Sequence, residues 1–254
     1  MASKKRPLRV VQLYPRQMNI YGDNGNAQII CRRAELYGYD VELGAYNSID
    51  DSKTLLSADI VLGGGGQDSG QRAIVNDLAK IKPELLRLAE DKVPMLMICG
   101  MYQLFGHYFE TNQGDRLNGI GLFDMITVGG DKRLIGNIVI SNDQFGEIIG
   151  YENHSGITEL GNSQSALGVV VSGYGNDSNG LNEGATRYRT VGSYLHGPIL
   201  AKNPKLADWI IVGAVERAFS DSKLRAANEQ CSKELAMLDE SIKSARKVAK
   251  SRPQ

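Results

Sequence analysis

The sequence predicts an α/β fold, a mostly parallel sheet flanked by helices, on three observations. Short apolar strands alternate with helical patterns through the first half of the chain. Those strands are apolar on both faces, as a sheet covered by helices on each side requires. Glycines stand directly after two of them, at Gly63–Gly66 and at Gly100, where parallel sheets present their ligand-binding edge.

Leu8-Arg-Val-Val-Gln-Leu-Tyr reads as the first strand, ending at Pro15. Asp23-Asn-Gly-Asn is a turn that can cap a helix from about Ala27 to Tyr37. Asp40–Tyr46 and Asp59–Gly63 are the second and third strands, and helices follow at about Gln71–Lys80 and Pro83–Asp91. Pro94-Met-Leu-Met-Ile-Cys is a short apolar strand that turns into a helix from Met101 to about Phe109. From Ile126 to Leu195 several short strands are separated by Gly, Asn, Asp and Ser, and they read as extensions or flanks of the same sheet. Pro204–Phe219 is an apolar helix. Beyond it, Leu224, Cys231, Leu238 and Ala245 recur every seven residues, with Leu235 and Ile242 beside them, as on an amphipathic helix. The division expected is a flexible N-terminus over residues 1–7, one catalytic-type domain over 8–219, and a helical extension with a basic end over 220–254.

The chain has 254 residues, enough for one large domain with a substantial core. Its 29 basic residues balance its 29 acidic ones, so no net field draws it to nucleic acid or anionic lipid. No apolar stretch approaches the ~20 residues that span a bilayer, and no apolar run follows the basic start to make a signal peptide. Cys31, Cys99 and Cys231 are widely spaced, which gives neither a zinc pattern nor a disulfide framework and points to a reducing, cytosolic setting. The basic residues of the last dozen read as a solvated tail or as a contact with a membrane surface or a partner.

Chemistry concentrates in three segments. In Met97-Ile-Cys-Gly-Met-Tyr-Gln103 a buried strand delivers Cys99 into a strand-to-helix elbow, where Gly100 permits close approach and the helix start favours a thiolate. An inert core thiol is the other reading of the same residue. Gly63-Gly-Gly-Gly-Gln-Asp-Ser-Gly-Gln71 lacks the endings of phosphate- and dinucleotide-binding loops, which leaves an oxyanion-hole lining or a loop without a role. Gly192-Ser-Tyr-Leu-His-Gly-Pro198 places His196 at a strand end, where an imidazole could serve as base and proton donor to a thiol. His154, in Gly150-Tyr-Glu-Asn-His-Ser-Gly156, is the rival base, whereas His107 reads as a packing or surface residue within the helix after the elbow.

Together these segments resemble the triad-type glutamine amidotransferases, in particular the CobB/CobQ-like branch. Cys99-Gly-Met-Tyr-Gln103, Gly63–Gln67, Gly150–Gly156 and Tyr194-Leu-His-Gly197 match that branch's motifs in order, over about residues 8 to 219. The start, Leu13-Tyr-Pro and Met18-Asn-Ile-Tyr-Gly-Asp-Asn-Gly-Asn26, looks like that of stand-alone glutaminase subunits in peptidoglycan synthesis. The resemblance implies a flavodoxin-like three-layer architecture and hydrolysis of L-glutamine through a cysteine thioester. It assigns Cys99 as nucleophile, His196 as base and acid, Gly65 and Gly100 as oxyanion donors, Gln103 as a pocket residue and Arg133 as the cation for the substrate carboxylate. A plain surface arginine is the other reading of Arg133. It also implies no metal or cofactor in this chain, and a Mur-ligase-like partner in a heterodimer. That partner would carry ATP and Mg, and through it the ammonia would reach lipid II in the cytoplasm or at the inner membrane face.

Two departures stand out. Met101 replaces the usual second glycine, which narrows the pocket or alters helix packing. Pro198 occupies the place of the usual glutamate, which reduces the expectation to a Cys–His dyad. Amidation for cobalamin-type synthesis and an inactive binding or regulatory module are the alternative readings. The lack of a P-loop argues against the first, and the presence of Cys99 and His196 against the second.

Overall fold

The computed structural model describes residues 6–177 and 180–252, so most of the expected flexible start lies outside the described residues. In chain order the elements are β1 (Leu8–Leu13), α1 (Asn24–Leu36), β2 (Val41–Tyr46), α2 (Ser52–Leu56), β3 (Ile60–Gly63), α3 (Asp68–Lys80), α4 (Lys82–Glu90), β4 (Met95–Ile98) and α5 (Gly100–Phe105). They continue as β5 (Tyr108–Glu110), β6 (Arg116–Asn118), β7 (Met125–Asn142), β8 (Gly146–Leu160), β9 (Gly168–Ser172), β10 (Asn182–Glu183), β11 (Ala185–Arg187), β12 (Thr190–Ser193), α6 (Ile199–Lys202), α7 (Pro204–Phe219) and α8 (Glu229–Ser251).

The first sheet has the order β11-β12-β4-β3-β1-β2 and is parallel except at β11. Every residue of β3, β4 and β12 is buried, which accounts for their unbroken apolar or small side chains. Because β1, β3, β4 and β12 run the same way, their carboxyl ends open on one edge, and the glycine loop, the Cys99 elbow and the His196 segment meet there.

Of the stretch read as extensions or flanks of this sheet, β11 and β12 do extend it, whereas β7 to β10 join β5 and β6 in a second sheet, ordered β10-β9-β7-β5-β6 with β8 also paired to β7. Its frame is one long hairpin, β7 and β8, rather than several short strands. Asn142 closes the turn by accepting the N–H groups of Gln144 and Phe145, each at 2.8 Å, and Gly146 follows at φ +74°. The helix after the elbow ends at Phe105 rather than near Phe109, since residues 108–110 pair as β5 with β6 and β7. His107 therefore lies beyond that helix, exposed and bonded to Asp124. The two sheets join at the site: Tyr151 of β8 exchanges backbone hydrogen bonds with His196 at 2.8 and 3.2 Å. Gly150 has to be glycine here, because a Cβ would lie 2.6 Å from Leu195.

α8 starts at Glu229, so Leu224 stands in the loop before it, and of the expected apolar seam only Ile242 is buried. Polar contacts hold the helix instead. Arg33, 1% exposed on α1, chelates Asp208 of α7 through two 2.7 Å bonds and reaches Asp239 of α8 at 2.9 Å. Arg246 donates to the Lys202 carbonyl, to Asn203 Oδ1 and to the Glu147 carbonyl. The basic end of the chain is thus partly engaged with its own fold, Lys250 pairing with Glu147. Arg33→Ala should lower the unfolding free energy by about 3 kcal/mol, because it leaves two carboxylates without their cation. Urea denaturation followed by circular dichroism measures it, and Arg33→Lys, which cannot chelate Asp208 through two nitrogens, should recover less than half.

Candidate active site

Cys99 sits at φ 50°, ψ −108°, a conformation that side-chain-bearing residues rarely adopt. The strand below fixes it: the Cys99 N–H donates to the Ser193 carbonyl at 2.8 Å, and its own carbonyl accepts the first bond of α5 from Gln103 at 2.9 Å. The chain therefore has to reverse at one residue, which turns the sulfur out of the sheet edge. Cys99 is 8% exposed and lines a cleft of about 310 Å3.

His196 is fully buried beside it. Its Nδ1 donates to Asp23 Oδ1 at 3.1 Å, which leaves Nε2 with no hydrogen-bond partner among the described residues. Cys99 lies close enough for its charge to act on the ring. Burial disfavours the imidazolium, but the charge of Cys99 and the hydrogen-bonded Asp23 carboxylate outweigh it, pushing the His196 pKa up to about 10. The imidazolium is the form of His196 that these neighbours favour near neutral pH.

Asp23 is the member that sequence reasoning missed. It read as a helix cap, yet its side chain caps nothing; the Asn24 N–H goes to Asn19 Oδ1 instead. Both Asp23 oxygens face the site, Oδ1 to His196 and Oδ2 accepting from the Gly65 N–H at 2.7 Å. The dyad reading thus gives way to a Cys99–His196–Asp23 arrangement, with the acid arriving from the segment between β1 and α1 rather than two residues after the histidine. Its position past the carboxyl end of a parallel strand was the available signal.

The same bond corrects the place of Gly65: its N–H is committed to Asp23 and is not aimed at an oxyanion. Gly66, which lines the cleft, and Gly100 are better placed. A Cβ on Gly100 would lie 3.0 Å from Met18 Cε and 3.1 Å from Gly66 N, so the Gly66 backbone comes this close because Gly100 has no side chain. As the first residue of α5, Gly100 has an N–H with no intrahelical acceptor. Gln103, 6% exposed, is held between Gln71 Nε2 at 2.9 Å and the Tyr194 hydroxyl at 3.2 Å. Gly156 leaves room for it, since a Cβ there would lie 2.4 Å from Gln103 Nε2.

His154, the rival base, lines the same cleft, but its ring stacks on Tyr194 at 3.7 Å and its Nδ1 bonds to the Gly156 carbonyl at 2.9 Å. His196 is the imidazole beside the sulfur. Met101 is fully buried against Gly63 and does not line the cleft, so its substitution concerns helix packing. Arg133 stands on an irregularity of β7, where four residues (130–133) oppose Ser155 alone, Gly129 pairing with Gly156 and Leu134 with His154. That bulge carries its guanidinium over the cleft, with Nε donating to Asn153 Oδ1 at 2.5 Å and Nη2 to the Tyr21 hydroxyl at 3.2 Å. Among the described residues no group of three or more His, Cys, Asp and Glu side chains is arranged to hold a metal.

A buried thiol at a strained elbow, an imidazole oriented by an acid, and free backbone N–H groups beside a polar cleft are the parts of an acyl-transfer site. Residues 9–204 match the CobB/CobQ-like glutamine amidotransferase domain, and the chain belongs to that family of glutamine amidotransferases. It is 36% identical over 240 residues to the Streptococcus pneumoniae protein named lipid II isoglutaminyl synthase (glutamine-hydrolyzing) subunit GatD, covering 93% of this chain and 92% of that one. It is 39% identical over 201 residues to the Staphylococcus aureus protein of the same name, covering 79% and 82%. In fold it resembles a glutamine amidotransferase crystal structure at TM-score 0.58 and 13% identity, covering 80% of this chain and 98% of the other.

Two outcomes test the geometry. Asp23→Asn should lower kcat by about 10²- to 10⁴-fold through loss of imidazole orientation. It should also move the alkaline limb of kcat/KM to lower pH. The carboxylate holds the His196 pKa up, so without it the imidazolium loses its proton earlier as pH rises; a pH–rate profile of glutamate release reads both. Gly100→Ala should abolish turnover while leaving the fold intact by circular dichroism, because its Cβ forces the elbow and the Gly66 loop apart.

Proposed function

We propose that the chain is the glutaminase subunit of a lipid II isoglutaminyl synthase, and that it supplies ammonia to a Mur-ligase-like partner. The observation that carries this reading is that Cys99, with His196 buried beside it, shares one cleft with Arg133, in a chain aligned over 92% of a GatD subunit.

In this reading Arg133 pairs with the α-carboxylate of L-glutamine, and the side-chain amide reaches Cys99 past Gln103. The Cys99 thiolate attacks the amide carbon, forming the C–S bond, and the resulting oxyanion accepts the N–H groups of Gly100 and Gly66. His196 gives its Nε2 proton to the amide nitrogen, the C–N bond breaks and ammonia leaves, with a glutamyl thioester on Cys99. The imidazole, now neutral, takes a proton from water. The hydroxide formed attacks the thioester carbon, the C–S bond breaks, and glutamate departs with the thiolate and imidazolium restored. Asp23 holds the Nδ1–H throughout, so Nε2 always faces the reacting atoms.

The chain's own part requires no metal or cofactor. ATP and Mg2+ belong to the partner, which activates the D-glutamate carboxylate of the lipid II stem peptide for attack by ammonia. No helix among the described residues is long and apolar enough to cross a membrane, which fits a cytoplasmic subunit that reaches lipid II through its partner.

Glutamate release from L-glutamine, measured for wild type, Cys99→Ala and His196→Ala with and without the co-purified Mur-ligase-like subunit, tests the proposal. Wild type with the partner should turn over, and Cys99→Ala should fall to background, a loss of 10³-fold or more. Wild type inactive in both settings, or Cys99→Ala active, overturns it. Amidation of lipid II by the assembled pair, dependent on Cys99 when glutamine but not ammonium is the nitrogen source, separates this role from cobalamin-type amidation.

A further inference from the structure

Tyr21 touches both ends of the site, yet no role has been assigned to it above. Its ring meets the His196 imidazole edge to face, with centroids 4.9 Å apart and planes at 73°. Its hydroxyl accepts from Arg133 Nη2. His196 is fully buried and does not reach the cleft surface, whereas Tyr21 is 42% exposed and lines that surface.

The backbone is built to put the ring there. Tyr21 adopts φ 57°, ψ 21°, a left-handed conformation disfavoured for an aromatic residue. Such strain persists only where the surroundings over-determine it, and here the turn is pinned on both sides. The Ile20 N–H donates to the Gly65 carbonyl at 3.0 Å, the Gly65 N–H returns to Asp23 Oδ2 at 2.7 Å, and the Asn24 N–H goes to Asn19 Oδ1 at 2.9 Å. Gly22 follows at φ +78°. One glycine-loop residue thus clamps the segment that carries both Asp23 and Tyr21.

We propose that Tyr21 is a positioning and specificity residue: its ring shields the imidazole from water, and its hydroxyl presets Arg133 for the carboxylate of the substrate. An arginine on a strand bulge is long and exposed, and untethered it samples many rotamers. Asn153 takes its Nε–H and Tyr21 takes one Nη2–H. Among the described residues these take two of its five donors, so Nη1 and the other Nη2–H can serve a ligand. A carboxylate bound there lies on the far side of Tyr21 from His196, so one side chain sets the spacing between recognition and chemistry. A substrate amide without that carboxylate makes no use of the preset guanidinium, which is the basis for preferring glutamine. This role rests on Arg133 being the carboxylate site.

The experiment compares wild type, Tyr21→Phe, Tyr21→Gly, Arg133→Ala and Tyr21→Phe/Arg133→Ala, each in complex with the partner subunit. The substrates are L-glutamine and 4-aminobutyramide, which is glutamine without its α-carboxylate. Tyr21→Phe keeps the ring and should raise KM for glutamine about fivefold to tenfold, with a smaller fall in kcat, and narrow the preference over 4-aminobutyramide by a similar factor. In the Arg133→Ala background the same change should add less than twofold, because the tether has nothing left to hold. Tyr21→Gly also relieves the left-handed backbone. It should lower kcat at least tenfold beyond Tyr21→Phe, while thermal unfolding shows it no less stable than Tyr21→Phe.

A wild-type KM and preference in Tyr21→Phe, or a full additive penalty in the double variant, overturns the tethering role. Equal kcat in Tyr21→Gly and Tyr21→Phe overturns the shielding role. Arg133→Ala with a wild-type KM sinks the carboxylate reading itself. Arg133→Ala raising KM while Tyr21→Phe does not sinks the Tyr21 role alone.

Discussion

One buried carboxylate organises this site. Asp23 is 4% exposed and would be costly to bury unpaired, so its two oxygens dictate what surrounds them. Oδ1 fixes the tautomer and direction of His196, and Oδ2 fixes the glycine loop through Gly65. The same residue ends the turn that presents Tyr21 and begins α1. Loop, imidazole and cleft wall are therefore set by one pair of hydrogen bonds, and a shift in any of them would leave a buried charge without a partner.

The sheet makes that convergence possible. β12, β4, β3 and β1 are neighbours and parallel, and the segments beyond their carboxyl ends carry His196, Cys99, Gly66 and Asp23. Residues spread over 173 sequence positions become neighbours because four strands end on one edge. The second sheet closes the opposite side. Tyr151 of β8 bonds the His196 backbone, His154 stacks on Tyr194, and the bulge of β7 brings Arg133 across.

Much of this is legible in the amino-acid sequence. Apolar runs such as Met95–Ile98 announce strands buried on both faces, and a cysteine followed by glycine at the end of one announces the elbow. Order in the second half was not legible, because β7 and β8 are half-buried strands broken by Gly129, Gly130 and Gly136, and such residues look like separators between short strands. In the bulge, where four residues oppose one, Gly130 faces Ser155 O at 2.9 Å from where a Cβ would sit. Asp23 was misread for a different reason. An acid before a helix is the commonest kind of cap, and only the fold shows that Asn19 does the capping and frees the carboxylate for His196. Gly65 was misassigned because sequence shows a run of glycines but not which N–H is already bonded.

The C-terminal helix belongs to the same network despite its distance from the sulfur. Arg246 of α8 donates to the carbonyl of Lys202 and to Oδ1 of Asn203, and Asn203 bonds both the N–H and the carbonyl of Ile149 in β8. Lys202, its pKa lowered by burial, donates to the carbonyl of Gly197 at 2.7 Å, next to His196. Gly197 stands at φ +95°, and a Cβ there would lie 3.1 Å from that lysine nitrogen, so the turn after the catalytic-type histidine is held by a charge only glycine can approach this closely. The imidazole is thus fixed from three directions: Asp23 at its ring, Tyr151 at its backbone, and the Gly197–Lys202–Arg246 chain behind it. The remaining approach is the cleft, where Tyr21 and Arg133 stand. Rigidity on three sides and a polar, partly exposed fourth are what a site needs if the substrate, rather than a movement of the nucleophile's base, is to complete the reacting geometry.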